Sequence, residues 1–299
     1  MRVHVHRLRT LVAATVCGVL LSGCFLRAPL TNSIGFRPKA MRADRATPAE
    51  WGWSEARLDT ISRRDSAGGL MAWWAPADSA VARPCAGVLL LHGKGRNRAE
   101  LMPLGRSLQA AGYAVLVPDY RGFGGSAGTP TTSGVFDDAE LAYRSLRSRM
   151  ADSLTPIVIL GHSMGTALAA RLAREHAPAV TVYMSPFTRV SALVRSRAGA
   201  IGPRLYDTTA FAFNPIEDAS VVHTRAMVVV AGRDALISKK VSSAFIAGLT
   251  PAPVVLRDRK ATHNGLLASK ATIRAVTDSL SAWVPCPRPS ASASMAPGE

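Results

Sequence analysis

Acids are scarce in this chain, cysteines are few, and no apolar run is long enough to cross a bilayer. Each shortage excludes something. Only 20 Asp and Glu stand against 36 Lys and Arg in 299 residues, a formal charge of +16. That excess would suit nucleic acid, but no binding motif accompanies it and the cations are scattered rather than gathered in blocks, so no nucleic-acid partner is expected. Two readings of the charge stay open: a basic surface suited to anionic lipid headgroups, or a GC-rich genome that writes Arg for Lys. The four Cys and seven His lack the spacing of a metal-ligand set. The glycines match neither the P-loop nor the dinucleotide fingerprint. Neither a metal nor another cofactor is therefore implied. Asp137-Asp138 reads as the acidic first turn of a helix, where carboxylates suit the dipole. No internal repeat is present, and the apolar stretch Leu11 to Leu21 falls short of the roughly 20 residues that span a membrane.

What is present is an ample core, 48% hydrophobic, in which strand and helix patterns alternate. Strands are expected at Leu70 to Trp74, Gly87 to His92, Ala114 to Pro118, Ile157 to Leu160, Val180 to Ser185, Met227 to Ala231 and Val254 to Leu256. Helices are expected at Glu100 to Ala111, Phe136 to Ser148, Thr166 to Arg174 and Lys270 to Val284. Such alternation predicts an α/β fold, a mostly parallel twisted sheet with helices on both faces. Residues 187–214 show no strand pattern and read as a short cap, with Phe187, Leu193, Leu205, Tyr206, Phe211 and Phe213 either walling a pocket or packing the cap on the core. The stretch 287–299, rich in Ser, Ala and Pro, reads as a disordered tail.

Residues 161 to 165 are Gly-His-Ser-Met-Gly, between an apolar strand and a helix-forming segment. That pattern is a nucleophile elbow, a sharp turn that lifts the Ser163 hydroxyl above the sheet. Such a serine needs a base, an acid to orient the base, and donors for an oxyanion. Of the later histidines, His176 falls near the end of the elbow helix and His223 precedes a strand at its wrong end. His263 follows a strand, and Asp234 closes the run from Met227 to Arg233. Both belong to the sheet edge where open α/β sheets place their sites. His263 would take the Ser163 proton through one ring nitrogen while Asp234 holds the other. Asp207, Glu217 and Asp218 lie in a less regular segment, and Asp258 is too close to His263 to occupy its own strand end. The oxyanion donors fall to the backbone amides of Met164, after the nucleophile, and Lys94, in the His92-Gly93-Lys94-Gly95 turn. The lysine side chain is either irrelevant there or a sensor of an anionic substrate.

These segments, with Asp119-Tyr120-Arg121-Gly122-Phe123-Gly124-Gly125-Ser126, Gly232-Arg233-Asp234 and Thr262-His263-Asn264, resemble an α/β-hydrolase of the serine esterase type over roughly residues 68 to 284. The Asp119 run and Ser185-Pro186-Phe187 resemble its small-cap branch of Bem46-like, ABHD13-like and ABHD17-like hydrolases, which includes depalmitoylases and esterases. The resemblance departs at Ala261-Thr262, where that family often has glycine. It implies a hydrolase domain over 68–286 that acts on a small-molecule or acylated substrate through an acyl-enzyme. An acyltransferase or peptidase would use the same triad. A silent binding module would be expected to lose one of Ser163, Asp234 or His263, and all three are intact.

Arg2, Arg7 and Arg9, then the apolar Leu11 to Leu21, then Leu21-Ser22-Gly23-Cys24 resemble a bacterial lipoprotein leader over residues 1–23, with Cys24 lipidated and 24–67 a tether. This implies a membrane anchor on the periplasmic face of the envelope, and Phe25 in place of Asp suits transfer to the outer membrane. Loss of the three leader arginines takes the charge from +16 to +13. Cys85 and Cys286 would then remain as an even pair, a candidate disulfide in an oxidising compartment.

Overall fold

Runs buried on both faces, Gly87–Leu91 (β3), Ala114–Pro118 (β4), Ile157–His162 (β5) and Val180–Met184 (β6), form the centre of an eight-stranded sheet. Near-continuous Val, Leu and Ile in these strands suits parallel neighbours covered by helices above and below. The computed structural model describes residues 36, 38–40, 49–58, 69–78, 83–198 and 212–287. The leader with Cys24, cap residues Leu205, Tyr206, Asp207 and Phe211, and the tail beyond residue 287 lie outside these.

Strands Ser54–Leu58 (β1) and Leu70–Ala75 (β2) pair antiparallel on one side, and Arg225–Arg233 (β7) and Val254–Thr262 (β8) continue the parallel sheet on the other. The strand order is β1-β2-β4-β3-β5-β6-β7-β8. Helices Met102–Ala110 (α1) and Lys270–Trp283 (α7) pack one face through Leu104, Leu108, Val276 and Leu280. Helices Thr132–Arg149 (α2), Gly165–His176 (α3) and Lys239–Ala247 (α6) pack the other through Val135, Ala139, Leu168, Ala169 and Phe245. Two further helices, Val190–Ala198 (α4) and Pro215–Ala219 (α5), lie between β6 and β7. The expected mostly parallel sheet with helices on both faces is present.

Three differences from the sequence reading have local causes. The sheet begins at Ser54, inside the stretch expected to be a tether. β1 turns only Ala56 and Leu58 inward, too few for a visible alternation. α2 starts at Thr132 because the Thr131 hydroxyl caps it, accepting from the Gly134 amide at 3.0 Å. Asp137-Asp138 therefore fall past the first turn, and the Asp138 carboxylate instead binds the Arg121 amide at 2.8 Å and its guanidinium at 2.5 Å. In the cap, Phe213 is not an open wall. It is buried against Phe36 and Phe136, with ring centroids 6.0 and 5.4 Å away, and Phe187 is buried in the same cluster, with Leu193 partly buried against it.

Cys85 and Cys286 form a disulfide across 201 residues, tying the start of β3 to the chain just after α7. The Tyr113 hydroxyl donates to the Val284 carbonyl beside it at 3.0 Å. A cross-link closing so long a loop restricts the unfolded chain and contributes about 2–5 kcal/mol. Cys286→Ser should lower the thermal midpoint by roughly 5–10 °C for a chain of this size. Calorimetry of the variant beside the oxidised parent checks this.

Candidate active site

Ser163 joins β5 to α3 with φ of 53°, a left-handed conformation that costs a non-glycine residue about 1–2 kcal/mol. Local hydrogen bonds hold it there. Its amide donates to the Met184 carbonyl at 2.9 Å, and its own carbonyl accepts from the Thr166 amide at 2.9 Å and hydroxyl at 2.6 Å. The flanking glycines are obligatory: a Cβ at Gly161 would lie 2.1 Å from the Gly165 carbonyl oxygen, and one at Gly165 2.2 Å from that of Leu91. The turn thus places Ser163 at the start of α3, where Met164 supplies one of the amides that a first helical turn leaves unused.

The other two sequence candidates meet at the ends of β7 and β8. His263 Nδ1–H donates to Asp234 Oδ2 at 2.8 Å, and both side chains are nearly excluded from solvent. Asp234 Oδ1 accepts the amides of Leu236 at 2.8 Å and Ile237 at 2.7 Å. Burial alone would raise the Asp234 carboxyl, but the His263 hydrogen bond and charge and these two amides outweigh it and hold the carboxyl below its ordinary range. Asp234 is thus kept ionised against the imidazole it orients.

His162, the residue before Ser163, meets this pair. The buried His162 ring lies 4.9 Å from the His263 ring between centroids, and its Nε2 is 3.1 Å from the His263 carbonyl oxygen. Since a carbonyl only accepts, Nε2 carries the proton. Burial, with His263 beside it, pushes the His162 pKa down to about 3, so the ring stays neutral. The turn carrying Lys94 closes on the same spot, since a Cβ on Gly93 would sit 3.2 Å from Ser163 Cβ. Lys94 itself is exposed, between a buried His92-Gly93 and Gly95 at φ of 74°. The turn is braced from below. Tyr120 donates to the His92 carbonyl at 3.1 Å, and the buried Asp119 carboxylate accepts from the Arg98 amide at 2.7 Å, its guanidinium at 2.6 Å and the Gly125 amide at 3.2 Å. Arg98 reaches on to Glu55.

The rivals are engaged elsewhere. His176 pairs with Glu140 at 2.6 Å and stacks on Tyr143, and His223 meets the Thr250 carbonyl at 3.2 Å. Asp218 binds Arg171 and Arg174, Glu217 binds Asn214, and Asp258 accepts from Ser269 and Thr272. Glu140, Glu175 and His176 bring three ligand-type atoms within 4.8 Å of one another. Arg144 and Arg171 already pair with those carboxylates, and the trio belongs to α2 and α3, away from the Ser163 turn. The sequence reading missed His162, although it stands inside the Gly-His-Ser-Met-Gly motif, and named Ser185 only within the Ser185-Pro186-Phe187 resemblance; Ser185 is a second serine with positive φ, at 47°. The Ser185 amide donates to the Val229 carbonyl at 2.8 Å, repeating on the next strand the bond that fixes Ser163.

A mostly parallel sheet with helices on both faces and an elbow serine at its carboxyl edge defines an α/β-hydrolase. Residues 82–262 match the model of the serine aminopeptidase S33 hydrolases, and the chain belongs to that family of serine hydrolases. An uncharacterized protein of Mycobacterium tuberculosis is 30% identical over 177 residues, covering 58% of this chain and 61% of its own. The lysophosphatidylserine lipase ABHD12 of Mus musculus is 35% identical over 136 residues, 40% of this chain and 33% of the lipase. The chain thus spans less than two thirds of these relatives. Among solved structures, the Pyrococcus furiosus esterase Pf2001 shares the fold with a TM-score of 0.63 at 20% identity, over 83% of this chain and 99% of the esterase. A soluble variant of the Saccharomyces cerevisiae monoglyceride lipase does so at 0.57 and 15%, over 77% and 98%.

The neutral, buried His162 predicts a pH signature. Its folded pKa is depressed, so its contribution to stability is complete above the unfolded value near 6.5 and is lost as pH falls toward 3, where only the unfolded chain has taken the proton. Unfolding free energy should fall with acid by up to about 1.4 kcal/mol per pH unit from this group. Denaturant melts of wild type and His162→Gln between pH 7 and 4 should show the variant with the shallower slope.

Proposed function

We propose that the protein cleaves an ester or thioester of a small or acylated substrate through Ser163, His263 and Asp234. The Asp234–His263 hydrogen bond carries this reading. It fixes the imidazole tautomer, leaving Nε2 unprotonated as the base for a nucleophile. The Ser163 hydroxyl gives its proton to Nε2 as Oγ attacks the carbonyl, and the Met164 and Lys94 amides receive the oxyanion. His263 then returns the proton to the leaving alcohol or thiol. Water, deprotonated by His263, releases the acid and restores Ser163. The lipase names among the relatives support an acylated lipid substrate. The aminopeptidase name of the family favours a peptide bond as the second reading.

A fluorophosphonate probe should label the wild type and leave Ser163→Ala and His263→Ala unlabelled, with circular dichroism confirming that each is folded. Asp234→Asn should keep the fold and lower kcat by about 10⁴. A folded wild type that resists the probe would favour the silent binding module. A panel of p-nitrophenyl esters, acyl thioesters and aminoacyl amides separates esterase from peptidase, and added acyl acceptors expose transfer.

We infer further that the chain is exported and held at the bacterial envelope by a lipidated Cys24. The Cys85–Cys286 bond supports an oxidising compartment. Cys24→Ser should abolish incorporation of an alkyne fatty acid and move the protein from the membrane to the soluble periplasmic fraction. Unchanged fractionation would assign membrane attachment elsewhere.

A further inference from the structure

We infer that the corner of the sheet where β7 and β8 end is a docking surface for an anionic lipid bilayer, placed to present the Asp234–His263 end of the site to the membrane. The inference does not depend on the acyl-transfer reading. Arg233 ends β7, and Arg257, Arg259 and Lys260 lie on β8, whose register pairs Val230 with Arg257 and Arg233 with Thr262. Lys239 and Lys240 open α6, five residues beyond Asp234. All six are exposed, and among the described residues none of them forms an ion pair. The two carboxylates at this corner are already hydrogen-bonded, Asp234 to His263 and Asp258 to Ser269 and Thr272.

Two local features suit such a surface. The first turn of a helix favours acids, yet α6 starts with two lysines and has no acid there. Leu236, in the loop between Asp234 and α6, leaves 43% of its surface exposed. An exposed apolar side chain in the loop between Arg233 and the Lys239-Lys240 pair, none of these cations ion-paired among the described residues, suits an interfacial site, where the apolar group enters the headgroup boundary and the cations meet phosphates. The same set would serve poorly as a protein interface core, which is depleted of Lys.

The test uses the mature chain from residue 24 onward with Cys24→Ser, so that neither lipidation nor the apolar leader contributes. Co-sedimentation is measured with phosphatidylcholine vesicles and with vesicles of phosphatidylcholine and phosphatidylglycerol. The wild-type surface should favour the anionic vesicles, and added salt should remove that preference. Replacing Lys239, Lys240, Arg257 and Arg259 together by Gln should weaken anionic binding by about fivefold per cation. A control replacing Arg83, Arg106, Arg144 and Arg274 by Gln loses the same charge elsewhere and should bind as wild type. Thermal melts establish that both variants are folded, and probe labelling of Ser163 reports the chemistry separately from docking. Equal loss in both variants would assign the binding to net charge and overturn the inference, as would a wild type that does not distinguish the vesicles. Capture of a single-stranded oligonucleotide that is lost in the corner variant, without vesicle binding, would overturn it in favour of another polyanion.

Discussion

The approach of α3 to β3 and β5 is so close that no Cβ fits at Gly161 or Gly165, and the rest of the site is arranged around that contact. With the helix pressed against the strands, the chain has room to turn only through a left-handed residue. Ser163 takes that conformation at a cost of about 1–2 kcal/mol. The cost is met by local bonds: its amide to the Met184 carbonyl, and its carbonyl to both donors of Thr166. A strained residue so tightly held cannot relax into helix or strand. Its side chain therefore stays at the helix start, beside amides that the helix leaves unused.

Around the elbow, neutral imidazoles and a buried ion pair hold the loops. His162 spans from the turn before Ser163 to the backbone of His263, so Ser163 and His263 are tied through main chain and ring. Its neutrality follows from burial, which together with the adjacent His263 outweighs the pull of the Asp234 carboxylate. His92, also driven neutral by burial, lies 4.2 Å from the Tyr120 ring between centroids. Beneath it, Arg98 and Asp119 join the turn after β3 to the turn after β4. Breaking a buried pair by removing one partner costs about 3–5 kcal/mol. Loss of Asp119 would therefore loosen the Lys94 turn as well as the fold.

Sequence pattern revealed the parts of this molecule whose burial is uniform. β4 lies at Ala114 to Pro118 as its apolar run indicates, because a strand covered on both faces must be apolar throughout. The elbow was legible because Gly-x-Ser-x-Gly is a steric requirement written into neighbouring residues, and Asp234 and His263 because each follows a strand. β1 escaped because an edge strand buries only alternate residues and Ala56 and Leu58 are just two of them. The start of α2 escaped because Thr131 acts through its hydroxyl, which carries no hydrophobic signal. Phe213 was ambiguous between wall and core because only the position of Phe36 and Phe136, far away in sequence, decides it. His162 was passed over as the variable position of its motif, since its partner is a carbonyl 101 residues later.

Charge shows the same limit most clearly. Read along the chain, the cations are scattered, and composition alone could explain them. Folding sorts them. Arg98, Arg121, Arg144, Arg171 and Arg174 pair with carboxylates, and Arg106, Arg149 and Arg225 lie over tryptophan rings. Where acids are few, pairing them on one set of faces leaves another set bare, and the β7–β8 corner is such a place. Compositional drift alone gives no reason for a bare patch to border the Asp234–His263 pair. A surface used at the membrane gives one. It would also bring the mouth of the site to where acylated substrates are held, so that the acid deficit of the whole chain acts at one corner of the fold.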